Sequence, residues 1–206
     1  MQMDLVILAA DGAIAAALEG ILSRRDALAI RLPAFKIFTH MHRDPGCFLE
    51  AHNFLRPFAR DCKHGLVVFD RKGSGQESRT RVEIQEDVTR RLAANAWTDR
   101  AKAIVIDPEL EAWVWSDSPQ VDRCLGWSAR SPALREWLSN QGLWDPSMTK
   151  PQNPELAFVR ALREVRKPMS SSIFSDLARS VSLLRCRDEA FAELRGTLTM
   201  WFGGQS

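Results

Sequence analysis

The chain has 206 residues, 45% of them apolar and 26% charged, with 28 Lys and Arg against 26 Asp and Glu. These proportions exclude wholesale disorder, a collagen-like repeat and a transmembrane bundle. A net charge of +2 is also too small for a whole-molecule electrostatic footprint on nucleic acid. Basic residues still gather locally. Between Gly20 and His64 there are eight (Arg24, Arg25, Arg31, Lys36, Arg43, Arg56, Arg60, Lys63) against four acidic ones, which permits a phosphate-facing patch.

Leu5–Ala10 is continuous and apolar and stops at Asp11-Gly12, the pattern of a buried strand closed by a turn. Ala13–Arg24 follows with Ile14, Ala17, Leu18, Ile21 and Leu22 at helical spacing. Leu28–Leu32 and Phe35–Thr39 are two strand candidates split by Pro33. Cys47–Arg60 reads as a helix that Pro57 ends or kinks. Leu66–Phe69 is the clearest second buried strand. It ends at Asp70 and runs into a flexible Arg71–Gln76 loop. Ser78–Ala96 predicts a charged amphipathic helix with Val82, Ile84, Val88 and Leu92 on its apolar face. Ala103–Ile106 is the third strong strand, closed by Asp107-Pro108, and Glu109–Trp115 reads as a new helix with Pro108 near its first turn. Beyond Trp115 the pattern is helical throughout: Pro119–Leu125, Pro132–Asn140, Pro154–Val165, Ser171–Leu184 and Asp188–Trp201. Ser172 or a neighbour and Asp188 are suited to helix N-termini, and Lys150–Pro154 is the best linker candidate. Strands alternating with helices predict an α/β fold with a mostly parallel sheet. The expected organisation is an α/β domain over residues 1–117, with a helical region, 118–206, packed on it.

Each of the three strong strands ends in carboxylate: Asp11 after the first, Asp70 after the second, Asp107 with Glu109 and Glu111 after the third. In an open parallel sheet, ligands bind beyond the carboxyl ends of the strands. Grouped carboxylates repel, so a shared site needs a cation or shared protons. Oxygen ligands without a nearby histidine suit Mg2+ or Mn2+, which activate water and neutralise a phosphodiester. Taken singly, each acid has a structural explanation as a turn or helix-start residue.

Gly73-Ser74-Gly75, flanked by Arg71 and Lys72, is a place where a nucleic-acid backbone could lie. It lacks both the ending of a Walker A motif and the spacing of GxGxxG. All four histidines (His40, His42, His52, His64) share one stretch with Cys47, Cys62 and Asp44, but the spacing matches no standard zinc module. Cys47 or Cys62 with a histidine is a nucleophile only at the level of composition. The four cysteines form no CxxC pair, and no basic leader precedes the first apolar run. The expectation is a cytoplasmic protein with reduced thiols. No apolar run approaches the ~20 residues of a membrane span, so no membrane partner is expected.

Leu66-Val67-Val68-Phe69-Asp70-Arg71-Lys72-Gly73-Ser74-Gly75 and Ile106-Asp107-Pro108-Glu109-Leu110-Glu111-Ala112-Trp113 together resemble the Toprim-like proteins of bacterial defence islands. The likeness covers roughly Met3 to Trp115. The helical remainder, with Val181–Cys186 and Trp201-Phe202, more loosely resembles small accessory proteins of methylation-associated antiphage defence. The resemblance implies a Toprim fold, a divalent-metal site and phosphodiester chemistry, using a glutamate at the first strand and a D-x-D motif at a later one. This chain departs at both. Asp11 stands at the first position, and Lys72 replaces the second Asp of the motif Asp70-Arg71-Lys72. In this reading Asp11, Asp70, Glu109 and Glu111 hold the metal. Asp70 and Glu111 carry the catalysis, and Arg71, Lys72, Gly73, Ser74 and Gly75 meet DNA or RNA.

Three functions follow: a metal-dependent nuclease of antiviral defence, a catalytically degenerate scaffold or sensor among other defence-system proteins, and a nucleotide-binding regulator. Seven Trp suit the scaffold, because Trp is enriched at interface anchors, and Trp137, Trp144 and Trp201 are the candidates. The chain has no Tyr, so a tyrosine nucleophile must come from a partner or be replaced by water.

Overall fold

A computed structural model describes residues 3–204. Strands β1 (Met3–Ala9), β2 (Phe35–Thr39), β3 (Cys62–Asp70) and β4 (Ala101–Ile106) form one parallel sheet in the order β2-β1-β3-β4. Ile7 pairs with Ile37 on one side and Leu66 on the other, and Asp70 pairs with Ile106. The β1, β3 and β4 cores are solvent-free, which explains their unbroken apolar runs. β2 lies at the edge and is only half-buried.

The helices are α1 (Gly12–Leu22), α2 (Arg25–Leu28), α3 (Arg43–Leu55), α4 (Arg81–Leu92), α5 (Pro119–Leu125), α6 (Leu134–Asn140), α7 (Pro154–Glu164), α8 (Ser171–Ser180) and α9 (Glu189–Phe202). α3 and α4 pack together over β3 and β4, α8 lies along α1, and α9 lies against β4. One continuous core joins the residues on both sides of position 117. At the α1–α8 contact the chains approach so closely that a Cβ on Gly20 would sit 2.7 Å from Ala178 Cβ. No helix among the described residues is long and apolar enough to cross a membrane.

Several boundaries differ from those expected. Leu28–Leu32 is not a strand. Ala29 turns the chain in the left-handed region, and Ile30 makes an isolated bridge to Gly203. Pro33 offers no N–H, and Asp4 holds this segment through Arg31 (2.7 Å) and the Ala34 N–H (2.9 Å). Pro57 ends α3 as expected, and a 3-10 turn, Arg56–Ala59, replaces its last part. α4 starts at a capping box in which Thr80 and Glu83 satisfy each other's N–H groups. Val82 is exposed, and Gln85 takes the buried position, accepting from the Val105 N–H and donating to Glu193.

The expected Glu109–Trp115 helix is a single 3-10 turn, Leu110–Trp113. Glu109 is extended, and the Pro108 carbonyl accepts the Lys72 N–H instead of starting a helix. α8 stops at Ser180, short of Leu184, because Arg24 captures the Ala178 and Val181 carbonyls. Ser170, at the start of α8, bonds the Ser172 hydroxyl and caps no N–H. Asp188 does cap α9, accepting from the Phe191 N–H.

Candidate carboxylate site at the sheet's carboxyl edge

β1 connects outward to β2, and the chain then crosses back over β1 to β3. The sheet therefore switches direction between β1 and β3, and in open α/β sheets the crevice beyond such a point is where ligands bind. Asp11 follows β1 and Asp70 ends β3, so both lie at the switch. Asp11 has a local duty, since its Oδ1 accepts the Ala13 and Ile14 N–H groups at 2.9 and 3.0 Å and caps α1. Asp44, in the first turn of α3, accepts the Asp70 N–H at 2.8 Å. The 3-10 turn after β4 adds Glu111.

The electrostatics of this group are those of an under-neutralised cluster. Burial, followed by the charge of Asp44, pushes the Asp70 carboxyl well above its usual range, while the Leu110 N–H favours its charged form. Its Oδ1 is shut off from solvent and has no hydrogen-bond partner among the described residues. Burial raises Asp44 as well, offset by the Asp70 N–H, with Asp11 adding repulsion. Glu111 is pushed up to about 7, first by burial and then by Glu109, Glu155 and Asp11.

Glu109 has a different environment. Its buried carboxylate is 2.7 Å from Lys72 Nζ and accepts the Glu155 N–H at 3.1 Å, where α7 begins. Lys72 also reaches Glu155 at 2.6 Å. Lys72 thus ties the sheet edge to α7, and it neutralises Glu109. Asp107 is held by Arg71 at 2.8 Å.

The loop expected to meet nucleic acid is internally engaged. Gly73 and Gly75, both at positive φ, donate their N–H groups to Glu77 Oε1 at 2.7 and 3.3 Å. Ser74 is buried and donates to the Arg71 carbonyl, and Arg71 donates to the Glu77 carbonyl. A carboxylate therefore occupies the place where a phosphate oxygen would find these donors.

The histidines and cysteines have structural surroundings. His40 is buried, accepts the His42 N–H, and packs so tightly that a Cβ on Gly46 would lie 2.0 Å from its Nδ1. His64 stacks on Trp201 with ring centroids 4.5 Å apart. Burial raises the Cys47 and Cys62 thiols, so neither is an activated thiolate. Trp144 is buried, and Trp137 and Trp201 pack partly buried against the core, so none of the three stands free as an exposed anchor. Among the described residues no three His, Cys, Asp or Glu side chains are placed to hold a metal ion by themselves.

Four carboxylates thus share the switch point: Asp11, Asp44, Asp70 and Glu111. Sequence reasoning named three of them and noted Asp44 only beside the histidines. Glu155, which helps to hold Lys72, carried no signal in the sequence. Compared with models of protein families, with curated proteins and with solved structures, the chain matches none.

Proposed function

We propose that this protein is a divalent-cation-dependent phosphodiesterase of Toprim type, acting on DNA or RNA within a cytoplasmic bacterial antiviral defence system. The observation that carries the reading is Asp70. A buried, unpartnered carboxylate oxygen beside three further carboxylates at a sheet's switch point is costly unless a proton or a cation joins it.

The donor set fits Mg2+ or Mn2+, because all of it is oxygen. Mg2+ keeps several waters and takes one or two carboxylates plus substrate phosphates, so it needs no three-residue protein cage. Asp70 and Glu111, neither of them ion-paired among the described residues, would hold the cation. When bound, it would neutralise the phosphodiester and lower the pKa of a water. Asp44 fixes the end of β3 through the Asp70 N–H, and Asp11 fixes the start of α1. Where Glu111 does not ligate the cation, its carboxyl, pushed up to about 7, would take a proton from the attacking water. With no Tyr in the chain, the nucleophile in this reading is water or a tyrosine donated by a partner.

The test is cleavage of single- and double-stranded DNA and RNA with Mg2+ or Mn2+ by the parent, Asp70→Asn and Glu111→Gln. Loss of at least about 100-fold in both variants, with unchanged circular dichroism, is the expected result. Equal cleavage by Asp70→Asn and the parent would falsify the assignment. The capture of Glu109 by Lys72 and of the loop amides by Glu77 favours a second reading, a scaffold subunit that joins other defence-system proteins without catalysis. A parent that cleaves none of the substrates, yet is recovered from its native host in a stable complex, supports that reading instead.

A further inference from the structure

A cavity of about 470 Å³, lined by none of the four clustered carboxylates, lies among the segment after the 3-10 turn, the start of α6, the α6–α7 connection and the chain before α9. Four cations line it: Arg135, Lys150, Arg185 and Arg187. Asp117 is its one acidic lining residue. Lys150 is paired with Asp188 at 2.8 Å. The three arginines have no carboxylate partner among the described residues. Arg135 donates to the Met148 carbonyl and lies over the Trp144 ring at 4.5 Å. Arg185 reaches the Asp117 backbone carbonyl at 3.4 Å. Arg187 makes no side-chain hydrogen bond or ion pair among the described residues.

Arg135, Arg185 and Arg187 are all exposed and solvated, and in a chain of nearly balanced charge their clustering around one cavity, against the single carboxylate of Asp117, makes it locally positive and attractive to an anion. The planar guanidinium fork matches phosphate oxygens in particular. The volume falls in the ~300–1,000 Å³ range of small-molecule sites. Trp115 supplies an apolar aromatic wall, and Ser116, whose hydroxyl has no partner among the described residues, adds a neutral donor. We infer that this cavity binds the phosphate groups of a nucleotide, either free or within a nucleic-acid strand, through Arg135, Arg185 and Arg187. The residues belong to segments far apart in sequence, so the cavity leaves no local motif. The inference does not depend on phosphodiesterase activity.

The test is isothermal titration of the full chain in EDTA with ATP, with a 5′-phosphorylated DNA 10-mer and with an RNA 10-mer. The variants are the parent, Arg185→Ala/Arg187→Ala, Arg60→Ala as a control on the loop before β3, and Asp70→Asn. Arg185 and Arg187 are both exposed, so the double variant is expected to keep its circular dichroism spectrum. The expected result is binding of at least one probe by the parent and by Asp70→Asn. A loss of roughly tenfold per arginine removed follows for the double variant, with Arg60→Ala unchanged. Binding of ATP identifies a free nucleotide as the ligand, and binding of the 10-mers alone identifies a strand. The inference is overturned if the parent binds none of the probes, if the double variant binds as the parent does, or if Arg60→Ala loses as much. Loss of binding in Asp70→Asn alone would move the ligand to the carboxylate site and overturn it as well.

Discussion

Glu111→Gln should stabilise the protein at pH 8 and leave it unchanged near pH 4.5. In the folded state the Glu111 carboxyl is pushed from 4.5 up to about 7. A raised acid binds its proton more tightly when folded, so its contribution to stability is fully present below the unfolded value and is lost as pH rises through the folded one. At 1.36 kcal/mol per pKa unit, that displacement makes ionised Glu111 cost up to about 3 kcal/mol at pH 8. Residual exposure and sharing of the proton with neighbouring carboxylates bring the expected gain to about 1–3 kcal/mol. For a chain of this size each kcal/mol moves Tm by roughly 2–4 °C, so the variant should melt several degrees higher at pH 8. The assay is thermal denaturation followed by circular dichroism, in EDTA, at pH 4.5 and pH 8. Adding Mg2+ should raise the parent's Tm at pH 8 and do little at pH 4.5, because protons and the cation compete for the same oxygens. A Tm difference between variant and parent that is equal at both pH values would refute the reasoning.

Other consequences are direct. Gly20→Ala would ordinarily favour a helix. Here its Cβ meets Ala178 Cβ at 2.7 Å and the Ser175 carbonyl at 2.9 Å, so a net loss of about 1–3 kcal/mol is expected in urea unfolding. A gain in stability would show that α1 and α8 are not packed this closely. Lys72→Met leaves buried Glu109 without its cation. The expected loss in urea unfolding is about 1–3 kcal/mol, below that of a fully buried pair because Lys72 is half exposed. An unchanged midpoint would show that the Lys72–Glu109 pair does not hold the sheet edge to α7. Glu77→Ala frees the Gly73 and Gly75 N–H groups, so their amide exchange should accelerate. It also removes a carboxylate from the loop, so binding of a DNA oligonucleotide at low salt should tighten; unchanged affinity would exclude this loop as a phosphate contact.

What the sequence by itself determined is local. Leu5–Ala10, Leu66–Phe69 and Ala103–Ile106 are short apolar runs closed by acids, because strands buried on both faces tolerate no polar residue until the chain leaves the sheet. That pattern was enough to read a parallel α/β fold and to put Asp11 and Asp70 at strand ends. It failed where neighbours in space override neighbours in sequence. Leu28–Leu32 reads as a strand, yet Asp4 and Pro33 hold it off the sheet edge. Glu109 and Glu111 are equivalent in the sequence, two residues apart. Only the fold brings Glu155 and Lys72 to Glu109 and leaves Glu111 among carboxylates. Asp44 joins the cluster because the sheet order carries β2's return helix across to the end of β3. The arginine cavity exists only because segments up to 72 residues apart, from Trp115 to Arg187, close around one space. Periodicity records which side chains are buried within a single element, whereas charge pairing depends on long-range placement, and only the tertiary structure decides it.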